Sequence, residues 1–83
     1  MIDRALGPFF AYFHANRNDE LQNIIDYALR ITDNSEEALL WKGWLLYRQG
    51  DQFGAINAFR EAYAANIYSL DAQYALDFMG AIP

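Results

Sequence analysis

Few side chains in this chain have the type and spacing to do covalent chemistry. His14 is the single histidine, and with no cysteine anywhere it has no second ligand of the usual zinc kind. It reads as a partly exposed helix-end side chain, a poor candidate for catalysis or metal binding. Ser35 and Ser69 precede helical patterns, where a hydroxyl accepts a hydrogen bond from a free backbone amide, so they read as helix caps rather than nucleophiles. Glu36 and Glu37 form a carboxylate pair, but adjacent residues on a helix point in different directions, and a first turn favours negative charge. They read as helix-start stabilisers. The glycines of "LGPFF" and "RQGDQFG" lack the lysine and repeated glycines of a phosphate loop. Catalytic, cofactor-binding and metal-binding residues are therefore all expected to be absent, and the chain is not expected to be an enzyme acting alone.

Composition narrows the remaining classes. At 83 residues there is room for one domain with a thin core, and without cysteine no disulfide supports it. An apolar fraction of 54%, with 17% aromatic, is too high for a disordered chain, while charge interrupts the apolar runs too often for a membrane span. Met1 to Phe13 carries Asp3 and Arg4 and no clean apolar block before a cleavage site, so it is not read as a signal peptide. The net charge of −5 argues against nucleic acid, because phosphate binding needs a basic stripe and Lys42 is the only lysine.

The elements that must position any site are all helical. There is no valine, alanine is abundant, and no run alternates apolar and polar residues long enough to suggest a strand. Pro8 marks the start of a first helix, or a kink in it, and that helix should end by Asn16. Asp19 is the expected cap of a second, which carries Leu21, Ile24, Ile25, Ala28, Leu29 and Ile31 at three- and four-residue spacing and stops near Thr32. In "DNSEEALLWKGWLLYRQG", Asn34 or Ser35 caps a third helix, with Arg48 in its last turn and Gly50 beyond it. A fourth is expected from about Gln52 to Ala65, with Asn66 as a left-handed terminator, and a fifth from after Ser69 to Gly80. The expected fold class is all-α, with five helices.

A shift of 34 residues lays Asn16–Ala38 over Gly50–Ala72. Asn23 then meets Asn57, Ala28 meets Ala62, Ser35 meets Ser69 and Ala38 meets Ala72, while Ile25 falls on Phe59 and Glu37 on Asp71. Two helices per 34-residue unit is the tetratricopeptide spacing, and the chain resembles that repeat family. The resemblance is strongest from Glu36 to Asn66, where Gly43 and Ala55 supply small residues, Phe59 and Ala62 an inner face, and Gly50-Asp51 the turn. Leu39, Lys42, Leu46 and Ile67 stand where the family pattern has an aromatic, a leucine, a tyrosine and a proline. On this basis the single domain 1–83 divides into a degenerate repeat (1–34), a well-matched repeat (35–68) and a half repeat (69–83).

The resemblance implies a stack of helical hairpins whose first helices line a concave side. Carried over residue by residue, that side holds Phe10, Phe13 and His14, then Leu40, Trp44, Tyr47 and Arg48, then Tyr74 and Phe78. Such a surface would bind a helix or an extended peptide, since rigid aromatics remove large apolar areas from water at low entropic cost. Protein or peptide is therefore the expected partner. An open apolar end of the stack, with Phe9, Phe10, Tyr12 and Phe13 at one side and Tyr74, Ala75, Phe78 and Met79 at the other, implies a homo-oligomer or filament as an alternative. A second alternative is a segment of a larger enzyme or secretion chaperone, because repeats of this kind are commonly appended to longer proteins.

Overall fold

A computed structural model describes residues 8–32 and 35–81. Five helices occupy them: α1 (Pro8–His14), α2 (Asn18–Ile31), α3 (Glu36–Arg48), α4 (Gln52–Ala65) and α5 (Leu70–Phe78). Among the described residues there is no strand, so the protein is all-α. The start of the chain, the alternative cap Asn34 and the final Ile82-Pro83 lie outside the described residues.

Local chemistry sets most boundaries. Ser35 caps α3 by accepting from the Ala38 amide at 3.3 Å, and Ser69 caps α5 by accepting from the Ala72 amide at 3.1 Å. The Asp51 carboxylate accepts from the Gly54 amide at 2.9 Å and starts α4. Each such cap satisfies an amide that the helix itself leaves unpaired. Three helices end alike. After α1, Asn16 turns left-handed (φ 59°), its amide donates to the Phe13 carbonyl at 3.2 Å, and the Arg17 amide donates to Tyr12 at 2.9 Å. Gly50 (φ 89°) and Gly80 (φ 72°) close α3 and α5 with the same pair of bonds, the double-bonded stop that favours glycine or asparagine.

The two α-hairpin junctions also match at the 34-residue offset. Thr32 and Asn66 are both extended, and the Ser35 and Ser69 amides each donate back to them, at 3.2 and 3.0 Å. Asn66 is therefore not the left-handed terminator expected from its type. Its φ is −152°, and its side chain instead accepts from the Tyr68 amide at 3.1 Å, folding the loop ahead of Ser69. Asp19 does not cap α2 either. The stop at Asn16 delivers Arg17 directly into the next helix, where its carbonyl accepts from Leu21 at 2.9 Å, so α2 begins earlier and Asp19 lies in its first turn. The Arg17 guanidinium pairs with Glu20 there, and the bond holds the Glu20 carboxyl below its ordinary range.

Each helix packs on the next, and α1 also reaches α3. Two buried clusters flank α3. Leu21, Ile25 and Leu45 fill the side toward α1 and α2; Leu39, Leu40, Ala55, Phe59, Ala62, Ala72, Ala75 and Leu76 fill the side toward α4 and α5. Burial of a side chain the size of Phe59 or Leu21 contributes roughly 1.5–3 kcal/mol. Gly43 decides how closely α3 and α4 approach, because the Phe59 ring occupies the space that a Cβ at Gly43 would need.

Candidate protein-binding surface

The aromatic side chains of α1, α3 and α5 converge into two groups rather than one continuous face. The first joins α1 to α3: Trp41 lies 6.1 Å from Phe10 and 5.3 Å from Phe13, centroid to centroid, and His14 lies 4.2 Å from Phe10. The Arg48 guanidinium stands over the Phe13 ring at 3.6 Å and donates through Nη1 to Asn18 Oδ1 at 3.0 Å. Arg48 thus ties α3 to the α1–α2 corner. A cation over a ring contributes about 0.5–2 kcal/mol, depending on how dry the contact is, and this use leaves the arginine little freedom to meet a partner at a groove edge.

The second group joins α3 to α5 and is far more open. Trp44 packs on the buried Phe59 ring at 4.9 Å and on Phe78 at 5.7 Å, while Tyr47 meets Phe78 at 5.4 Å and Tyr74 stacks beside Phe78 at 6.5 Å. Tyr74 is 65% exposed, Phe78 51% and Tyr47 40%, whereas Trp44 is half-buried and serves as the floor. Phe10, Trp44 and Phe78 stand 34 residues apart in succession, so the same repeat position supplies an aromatic three times. Only the last two of these reach the same surface group.

The nine residues carried over from the repeat pattern therefore have different fates. Tyr47, Tyr74 and Phe78 are exposed together, with Trp44 beneath them. Phe10 and Phe13 are half-buried against Trp41, His14 is exposed at the end of α1, and Arg48 is engaged as described. Leu40 is removed from the surface set: it is only 7% exposed and belongs to the core with Phe59 and Leu76, because α5 closes over that side of α3. The expected apolar face of α1 is also largely spent internally. Phe9, Tyr12 and Phe13 pack against Leu21, Ile25 and Leu45, which their three-residue spacing on a short helix brings to one side.

Leu70 is a surface residue that the repeat pattern did not single out. It is 77% exposed and lies two turns before Phe78 on α5. The signal was present in the 34-residue offset, which places this leucine at the first-turn position that Glu36 holds in α3. An apolar residue there has no helical reason. Ser69, beside it, donates from its hydroxyl to Glu36 Oε2 at 2.7 Å and so fixes the start of α5 against the start of α3.

Among the described residues no three His, Asp or Glu side chains converge where a metal ion could sit. No helix of these residues is long and apolar enough to cross a membrane. No family model, no curated protein and no solved structure matches the chain.

Proposed function

We propose that this protein is a non-catalytic protein-interaction module, a short helical-repeat stack of tetratricopeptide type that binds a helical or extended segment of another protein on the face shared by α3 and α5. The observation that carries this reading is the linked set of exposed rings, Tyr47, Tyr74 and Phe78, held over Trp44 and Phe59. Rings braced by a buried neighbour are pre-ordered, so a partner covering them loses little side-chain entropy on docking. The matching stops at Asn16 and Gly50, and the matching junctions at Thr32–Ser35 and Asn66–Ser69, support the 34-residue repeat behind that architecture.

Affinity capture from the source cells tests the proposal. Wild type and Phe53→Glu, whose ring is 85% exposed on α4, should recover the same partner, whereas Phe78→Glu should lose it while keeping its helical circular dichroism. Loss of the partner with Phe53→Glu and retention with Phe78→Glu would move the binding face elsewhere.

A further inference from the structure

The arrangement of charge around the open face of α5 carries the partner's chemistry further. Residues four apart on a helix drift by about 40° around its axis, so Leu70, Tyr74 and Phe78 form a slanted apolar stripe roughly 12 Å long. Residues seven apart lie nearly above one another. Asp77 therefore sits two turns above Leu70, and Asp71 two turns below Phe78, which places one carboxylate at each free corner of the stripe. Both are exposed, and α5 carries no basic residue. Across on α3, the exposed Glu37 adds a third carboxylate at the repeat position of Asp71, while the nearest cation, Arg48, is held by Phe13 and Asn18. Arg17–Glu20 is the one ion pair among the described residues, so none of these three acids is paired.

We infer that this stripe receives an amphipathic helix of another protein, one with an apolar face flanked by lysine or arginine. The inference rests on the interaction-module reading and names the partner that the same face selects. An apolar ridge with anchors at every third or fourth residue over two turns matches the stripe in length, and cations beside it would meet Asp71 and Asp77. Charge pairing of this kind selects partners and speeds encounter more than it adds affinity. A second copy of this chain fits poorly. Each copy carries a net charge of −5, and a stripe meeting its own copy would set carboxylates against carboxylates. The area also falls short: exposures of 65%, 51% and 40% at Tyr74, Phe78 and Tyr47 leave roughly 300 Å² of aromatic surface, against about 800 Å² per partner in a standard stable interface.

The test uses the full chain and three synthetic peptides of about four helical turns: an amphipathic leucine–lysine peptide, its leucine–glutamate counterpart, and the leucine–lysine composition scrambled so that no apolar face forms. Calorimetry gives affinities, and amide chemical shifts locate the site. The amphipathic lysine peptide should bind with shifts centred on Leu70, Tyr74, Phe78 and Tyr47, weaken as salt rises, and exceed both other peptides by at least about tenfold. Phe78→Ala should weaken it at least about tenfold, and Asp71→Asn with Asp77→Asn about three- to tenfold with a shallower salt dependence. The two substitutions act at opposite ends of α5, where a carboxylate favours one terminus and disfavours the other, so the double variant should keep its melting temperature.

Equal binding by the scrambled peptide would mean attraction by net charge alone and would overturn the inference. Equal binding by the glutamate peptide at the stripe would overturn it while leaving the interaction module standing. Failure of all three peptides, with a cellular partner still lost on Phe78→Glu, would do the same. Failure of the peptides with no Phe78-dependent partner would remove both proposals, and light scattering that shows wild type assembling through the stripe would make the occupant a second copy.

Discussion

Gly43→Ala gives the sharpest mechanical test of the fold, because two effects of opposite sign compete there. In an exposed helix interior, alanine is favoured over glycine by about 1 kcal/mol. At Gly43 the added Cβ would fall inside the Phe59 ring, a rigid group that is itself fully buried and braced by Trp44. Overpacking of a filled core costs about 1–3 kcal/mol, and a ring with no space to retreat into places this site near the top of that range. The net expectation is a loss of about 2 kcal/mol, which in a domain of this size lowers Tm by roughly 8–16 °C. Urea unfolding followed by circular dichroism, with a double-mutant cycle, separates the terms. Phe59→Leu should itself destabilise, but in that background Gly43→Ala should become neutral or stabilising by up to about 1 kcal/mol, as helix propensity takes over. A rise in stability for Gly43→Ala in the otherwise wild-type chain would refute the packing of α3 on α4 described above.

Three further outcomes follow from the same structure. Ala62→Leu, at a position with no exposed surface, should cost about 1–3 kcal/mol by overpacking, measured by the same unfolding titration. Ser69→Ala should cost about 1–2 kcal/mol, since it removes both the cap on Ala72 and the donor to Glu36; rescue by threonine would show that the hydroxyl is responsible. Arg17→Ala should raise the Glu20 pKa toward the ordinary glutamate value in an NMR titration, because the Arg17 hydrogen bond is the main cause of its depression. With the folded pKa lowered, the stabilisation from this pair is present above the unfolded pKa and fades as pH falls through the folded one. The pair is fully exposed, so the effect on global unfolding should be slight.

What the sequence disclosed here was mostly local. Ser35, Ser69 and Gly50 announce helix ends because a cap or a left-handed turn depends on a few neighbouring residues, and the structure has all three in those roles. Asn66 was not legible in the same way, since asparagine suits both a left-handed stop and a side-chain-stapled turn, and the loop to Ser69 selects the second. Asp19 lost the cap of α2 to the geometry of the previous helix end, which no pattern within α2 records. The aromatic residues were easy to find and hard to sort. Whether Leu40 faces a partner or the core depends on how α5 leans over α3, and whether Phe13 is open depends on Arg48 and Trp41 reaching across from α3. Side-chain spacing on one helix fixes neither. The open stripe on α5 lay within reach, because an apolar Leu70 at the repeat position of Glu36 departs from what a helix start favours.

The central claim is that the α3–α5 face is where this protein meets another. Site-specific photocrosslinking in the source cells addresses it directly, with a benzophenone side chain placed at Tyr74 in one variant and at Phe53 in another, and adducts identified by mass spectrometry. The account predicts a discrete adduct with a different protein from position 74, absent from position 53 and abolished when Phe78→Glu is added to the chain. An adduct from position 53 with none from position 74, or the same adduct from 74 whether or not Phe78 is replaced, would contradict it.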